Sequence, residues 1–274
     1  MTPSSTNDLF DFVTQLLTMH SNTFEMLGLN LFRGFAVILI AWFGIRSALS
    51  AAGGGPGFQF DRFANLLMSI AFGYAMIVYY SRPIPGMGRS FHSLITDQGL
   101  SLANTLNHAQ TAEVWQRLDN IYFSLEMPLL AFSIVQIVYY IILVLGLLIT
   151  EAAIFFVISF GYIAAAVAVL LGPIFIPFFI VPKMEWLFWG WFKAFLQYAF
   201  YQVVANAYLF VFGNLLIHFV DAHPPPYDGA MILLLFVPLL FLLIAFTYGI
   251  LKIPSLVNSL FSGSSGEAAF PKLF

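Results

Sequence analysis

Long apolar runs separated by short polar segments dominate the chain, and their lengths predict helices that cross a membrane. A helix needs roughly 17 to 25 apolar residues to cross about 30 Å of hydrocarbon. Runs of this kind occupy residues 27–49, 63–80, 128–171, 187–217 and 231–251. The sequence therefore predicts an all-α polytopic membrane protein with about five spans, organised as a single integral membrane domain over residues 1–274.

The middle run allows two interpretations. Residues 128–181 carry a single charge, Glu151, and the stretch is too long for one ordinary span yet has no polar loop that would divide it. Either two spans meet near Thr150 and Glu151, or one long helix ends at about Leu171 and a bent segment follows it.

The basic residues favour the long helix, because lysine and arginine near span ends collect on the cytoplasmic side. With five spans and the N-terminus outside, more basic residues lie inside than outside. The inner ones are Arg46, Arg62, Lys183, Lys193, Lys252 and Lys272, and the outer ones are Arg82, Arg89 and Arg117. The predicted topology is therefore N-out and C-in.

Residues 81–126 form a long polar segment, which this topology places in the periplasm. Apolar residues recur in it every three or four positions, first from Phe91 to Leu106 and again from Val114 to Leu125. This is the spacing of amphipathic helices. We expect two such helices here, lying on the membrane surface or on a partner protein.

A segment broken by prolines follows the long run, over residues 172–186. Pro173, Pro177 and Pro182 each lack the N–H that a regular helix needs, and lipid cannot replace the lost hydrogen bonds. The three tryptophans between positions 186 and 191 suit the depth of lipid headgroups. We therefore expect an interfacial elbow on the cytoplasmic side, shielded by neighbouring protein.

Composition agrees with the membrane class and excludes several others. Hydrophobic residues make up 61% of the chain and charged residues only 8%, against about 25% charged in soluble domains. The net charge of -3 is close to neutral for this length, so the charge balance gives no argument for a nucleic-acid-binding surface or an acidic tail. The chain has no cysteine and no phosphate-binding Gly-Lys-Ser/Thr motif. We predict no catalytic residue, no cofactor and no metal site.

A polar stripe in the fourth predicted span is a candidate for helix packing or for lining a lumen. Tyr198, Gln202, Asn206 and Gly213 fall on one face at helical spacing. Such stripes usually join helices through hydrogen bonds and close backbone contact, although a pore lining would show the same pattern.

Two ionisable residues lie inside other predicted spans, where charges are costly and face protein or water. Arg33 is about one turn inside the first span, so its long side chain can reach the outer headgroups. Glu151 marks a helix end, pairs with another helix, or faces a water-filled lumen.

An ordered set of short motifs resembles a known family. The motifs are Gly172-Pro173-Ile174-Phe175, Pro182-Lys183, Gly190-Trp191 and Ile253-Pro254-Ser255-Leu256, the last leading into a Gly/Ser-rich tail within residues 252–274. Over about residues 128–266 the chain is similar to the TrbL/VirB-type polytopic inner-membrane proteins of bacterial type IV secretion and conjugation systems. The resemblance implies that Gly172, Pro173 and Pro182 form the elbow and that Trp191 is the central tryptophan of the family.

The resemblance also implies a function. It indicates a non-enzymatic component of the bacterial inner membrane, present in several copies and contributing to the DNA or protein substrate path and to pilus or stalk assembly. The partners that it implies are a minor pilin-like subunit in the periplasm, other channel proteins, the cytoplasmic ATPases of the machine and, transiently, the transported DNA or protein.

Two other classes of function stay open at the level of sequence. A secondary transporter would use the broken segment as a substrate site near the bilayer midplane, but the first two spans do not mirror the last two. A membrane-embedded enzyme would need Glu151 or a loop histidine as its reactive group.

Overall fold

The computed structural model describes residues 3–97, 110–125, 134–224, 227 and 229–262. The all-α class with five spans is confirmed, since five helices are long and apolar enough to cross a membrane and the described residues contain no strand. The helices are α1 (Pro3–Ala52), α2 (Phe60–Val78), α3 (residues 91–97), α4 (Gln110–Ser124), α5 (Ile134–Phe175), α6 (Glu185–Ala222) and α7 (Gly229–Ser262), with a 3-10 helix at Ile176–Ile180.

Helix α5 is a single element of 42 residues, so no break divides the middle run near Glu151. At about 1.5 Å per residue it contains about 63 Å of helix, roughly twice the hydrocarbon thickness of a bilayer. It also includes Pro173, whereas the sequence led us to expect that the regular helix would stop before this proline. Residues 128–133 of the predicted span lie outside the described part of the chain.

The chain divides into two compact units, each with its own hydrophobic core. The first comprises Met1–Phe10, Gly99–Ile163 and Ala199–Phe274, and the second comprises Asp11–Gln98 and Ala164–Tyr198. Helices α4, α5, α6 and α7 supply the core of the first unit. The core of the second unit comes from α1, α2, the end of α5, the 3-10 helix and the start of α6.

Helix α4 differs from our expectation in what covers its apolar face. That face, which includes Val114 and Leu118, is buried in the core of the first unit rather than left for the membrane or a partner. Val114 packs against Gly213 of α6, which has no side chain to obstruct it. The guanidinium of Arg117 lies 2.9 Å from the carboxylate of Asp221 at the far end of α6.

Helix α7 continues beyond Leu251, where the sequence led us to place the end of the last span. It runs through Pro254 to Ser262. Ile253 and Val257 on either side of the proline are buried in the core of the first unit. Burial of these side chains stabilises the continued helix by more than the loss of one hydrogen bond at the proline destabilises it. Residues 263–274 of the predicted tail lie outside the described residues.

Candidate functional site

The end of α5 contains a helical proline whose missing hydrogen bond is replaced from another element. Pro173 has no N–H to donate to the carbonyl four residues earlier, which is that of Val169. The hydroxyl of Tyr80, just after α2, donates to this carbonyl oxygen at 2.5 Å. Tyr80 is only 2% exposed. The side chain therefore satisfies a carbonyl that would otherwise be costly at this depth.

A second aromatic side chain donates to the adjacent carbonyl. The indole Nε1 of Trp191 in α6 lies 2.8 Å from the carbonyl oxygen of Ala168. The Trp191 ring is stacked on Phe195, with the ring centroids 5.6 Å apart. Tyr80 and Trp191 thus fix the last turns of α5 to two other elements of the second unit.

Gly172 makes room for both aromatic rings. A Cβ atom at this position would overlap the phenol of Tyr80 and would lie 2.7 Å from Cζ2 of Trp191. A side chain at residue 172 would therefore displace two donors from the carbonyls that they satisfy. The neighbouring α1 approaches just as closely, because a Cβ on Gly28 would collide with the backbone carbonyl of Pro173.

The tryptophans of this segment divide into two kinds. Trp186 and Trp189 are 68% and 53% exposed, as expected of residues at headgroup depth. Trp191, which we expected to serve in the same way, is instead buried at 6% exposure. The reason is its position on α6, where it shares a face with the buried residues Phe188 and Phe195.

The remaining motif residues of the elbow lie on the surface. Pro182 and Lys183 are exposed in the turn between the 3-10 helix and α6, and Lys183 has a φ of 73°, in the left-handed region. Gly190 is exposed in α6, and a Cβ added there would meet nothing within 4 Å. The contacts in the described residues therefore give no packing reason for a glycine at position 190.

The ring of Tyr80 is itself held by the start of the polar segment. It makes an edge contact with His92, with centroids 5.4 Å apart, and His92 Nδ1 lies 3.2 Å from the hydroxyl of Ser90. Burial lowers the pKa of His92, and the carboxylate of Asp97 opposes part of that effect. A neutral imidazole is thus favoured beside Tyr80.

The residues of the predicted polar stripe occupy different surroundings. The side-chain amide of Gln202 donates to the carbonyl of Ile158 in α5 at 3.4 Å, and Gly213 receives Val114 of α4. Asn206 is half-buried, and Tyr198 packs at the margin of the second core. For Gln202 and Gly213 these are contacts between helices.

Three further predicted residues, Glu151, Arg33 and Pro254, lie on α5, α1 and α7. Glu151 is half-buried in α5, beside Thr150, whose hydroxyl is 2.8 Å from that of Thr247 in α7. Arg33 is exposed on α1, and Pro254 is exposed on α7. Within the described residues neither Glu151 nor Arg33 has an ion-pair partner.

Sequence reasoning missed Tyr80, Val169 and Gly28 as parts of this site. Val169 could have been found, because the carbonyl that a helical proline leaves free is always four residues before it. Tyr80 resembled an ordinary interfacial tyrosine at the end of a span. No sequence signal indicated which side chain would reach Val169.

This arrangement is suited to holding helices together. Aromatic hydroxyl and indole donors meet backbone carbonyls, and small residues allow close approach, as in other helix associations within membranes. Among the described residues, no three metal-ligating side chains come together.

Comparison with known proteins identifies a family match that includes the residues of this site. No curated protein matches the sequence. The family of TrbL/VirB6 plasmid conjugal transfer proteins matches residues 36–253, a stretch that includes Tyr80, Gly172, Pro173 and Trp191 and at least part of each of the five spans. Because this match covers most of the sequence, the chain belongs to the TrbL/VirB6 family of plasmid conjugal transfer proteins.

Proposed function

We propose that the chain is a non-enzymatic scaffold and channel subunit of a type IV secretion or conjugation machine in the bacterial inner membrane. The observation that carries the proposal is the family match over residues 36–253, which extends through five helices able to span a membrane. Its role is to contribute to the path of DNA or protein and to pilus or stalk assembly.

An exposed apolar face on α5 supports assembly in several copies. It recurs at helical spacing through Ile134, Val138, Ile141, Leu145 and Leu148 and continues to Ile163. From Ile134 to Ile163 the face is about 44 Å long, against about 30 Å of hydrocarbon. Lipid alone does not cover such a face along its whole length, so a neighbouring copy or another channel protein is the natural partner for the remainder.

The half-buried Glu151 supports a role in the substrate path. An ionisable group inside an apolar helix is retained where it faces protein or water, and Glu151 has no ion-pair partner in the described residues. In an assembly of several copies, a ring of such carboxylates would line a hydrated passage.

The proposed orientation is N-out and C-in, with residues 81–126 facing a minor pilin-like subunit in the periplasm. The core position of α4 leaves its polar face, rather than its apolar face, for such a partner. Energy would come from the cytoplasmic ATPases of the machine, since the sequence has no nucleotide-binding loop.

The test is complementation of a deletion strain combined with site-specific crosslinking to substrate. The wild-type gene should restore transfer, and Glu151→Gln should lower the transfer frequency without lowering the amount of assembled protein. A photo-reactive residue replacing Glu151 should crosslink to DNA or protein in transit. The matched control is the same residue at Phe156, which is exposed on α5.

Two results would contradict the proposal. Transfer at the wild-type frequency in the deletion strain would show that the protein is not a required part of the machine. If position 156 crosslinks to substrate as strongly as position 151 does, the crosslinks give no reason to place Glu151 in the substrate path.

A further inference from the structure

The turn between α1 and α2 contains a partly open pocket of about 130 Å³ whose polar lining is rich in hydrogen-bond donors. The donors are Arg46, Ser47 and Ser50 on the last turns of α1, and Gln59 and Arg62 at the start of α2. Glycines with positive φ at positions 54 and 57 allow the chain to turn tightly between the two helices. The pocket is thus built by local sequence within the second unit.

The charged side chains that line the pocket, Arg46 and Arg62, are both basic. Among the described residues, those that line the pocket include no carboxylate. Arg46 and Arg62 are exposed, and neither is in an ion pair within the described residues. Two guanidinium groups with free donors, together with hydroxyls and an amide, match the acceptor oxygens of a phosphate group.

The depth of the pocket indicates where the phosphate comes from. One candidate span ends at Ala52 and the next begins at Phe60, so the pocket lies between span ends, at the level of headgroups. Phe43, which also lines the pocket, belongs to a cluster with Phe58 and Phe63, in which ring centroids are 5.3 to 5.7 Å apart. Phe58 is 58% exposed. An apolar surface therefore adjoins the basic pocket.

We propose that this pocket binds a phosphate-bearing anion, the headgroup of an acidic phospholipid, between Arg46 and Arg62. The arginines hold the phosphate oxygens, Ser47 and Ser50 donate from α1, and the phenylalanine cluster contacts the acyl chains. The bound lipid ties the ends of two spans together at the membrane surface. A free phosphate ion shares the same headgroup chemistry but makes no contact with the phenylalanines.

The experiment measures lipid retention by the full chain in nanodiscs that contain phosphatidylglycerol and phosphatidylcholine. Native mass spectrometry counts the phosphatidylglycerol that stays bound after release from the disc. The test variant is Arg46→Gln/Arg62→Gln. The control is Arg82→Gln/Arg89→Gln, which removes two exposed arginines that do not line the pocket.

Each arginine near a membrane surface is expected to contribute about fivefold to the binding of an acidic lipid, so the affinity of the test variant should fall roughly 25-fold. The control should retain the lipid as the wild type does. Equal retention by the wild type and the test variant would overturn the proposal. If the glutamine variant does not fold, Ser47→Ala/Ser50→Ala keeps both charges and should still weaken retention.

A second arm separates the two sources of phosphate. Inorganic phosphate is titrated calorimetrically into the protein in neutral detergent. Weak binding of phosphate together with strong retention of phosphatidylglycerol is the expected result. Strong binding of phosphate without lipid retention would overturn the assignment to a lipid, and the absence of both would overturn the site itself.

Discussion

The hydroxyl of Tyr80 donates to the carbonyl oxygen of Val169 at 2.5 Å, and Val169 is the residue whose helical donor is removed by Pro173. A proline in a span is tolerated more readily where another group satisfies the freed carbonyl. Here the group is the phenol of a residue just after α2. The proline therefore weakens α5 locally and at the same time creates an attachment point for another element.

Replacing Tyr80 by phenylalanine tests this attachment. The substitution removes one hydroxyl and leaves the buried Val169 carbonyl without the donor, which should lower the free energy of unfolding by about 1 to 3 kcal/mol. Thermal unfolding of the purified variant in detergent measures the change. Tyr79→Phe is the matched control, since no hydrogen bond of its hydroxyl is present in the described structure.

A double-mutant cycle sharpens the test. Pro173→Ala restores an N–H at position 173. In that background Tyr80→Phe should therefore lower the free energy of unfolding by less than it does in the wild type. An equal cost in both backgrounds would show that the tyrosine does not act through the carbonyl that the proline frees.

Two glycines of the same motif set should respond in opposite directions to alanine. Gly172→Ala places a methyl group against Tyr80 and Trp191 and should destabilise the protein by about 1 to 3 kcal/mol. Gly190→Ala adds a methyl group in open space inside a helix and should stabilise it by about 0.5 to 1 kcal/mol. Thermal unfolding of the two variants side by side provides the measurement, and a shift of the same sign for both would contradict the packing described here.

The sequence predicted the class of the protein because long apolar runs leave few alternatives in a membrane. It also indicated that Pro173 and Trp191 matter, since the proline lies in an apolar run and the order of short motifs around both residues can be read from the sequence. The sequence predicted an elbow over residues 172–186, whereas Pro173 belongs to α5 itself and the 3-10 helix begins at Ile176.

What the sequence could not show is which distant groups meet. Tyr80 and Val169 are 89 positions apart, and nothing in the spacing of either residue indicates the other. The same holds for Val114 and Gly213, because an amphipathic face buries itself equally well on lipid, on a partner or on its own chain. Pairings of this kind depend on tertiary packing alone.

Trp191 should be far more sensitive to truncation than its exposed neighbour. Trp191→Ala removes a buried ring and its bond to Ala168, and we expect a loss of about 3 to 5 kcal/mol in unfolding free energy. The protein should still insert in the membrane, but DNA or protein transfer should fall. Trp189→Ala, at an exposed position in the same helix, should leave stability within about 1 kcal/mol.

Membrane fractionation and transfer frequency distinguish the two effects. Normal transfer by Trp191→Ala would show that the elbow is not important for function. Loss of the variant from the membrane fraction would instead show that Trp191 is needed for insertion.

The stability of the protein should fall below neutral pH because of His92. Burial lowers its pKa in the folded state, so the unfolded chain, with an ordinary histidine pKa of about 6.5, binds more protons as the solution is acidified. The contribution of His92 to the free energy of unfolding is therefore fully present above about pH 6.5 and is lost as the pH falls through the folded-state pKa. Asp97 reduces the effect, since its carboxylate favours the protonated ring.

Melting temperatures at pH 7.5 and pH 5.5 measure this dependence. The wild type should lose more stability on acidification than His92→Gln, in which the imidazole is replaced by a side chain that does not titrate. His218→Gln removes an exposed histidine and should behave as the wild type does. If His92→Gln keeps the full pH dependence of the wild type, the loss arises elsewhere and the imidazole beside Tyr80 is not held in its neutral form.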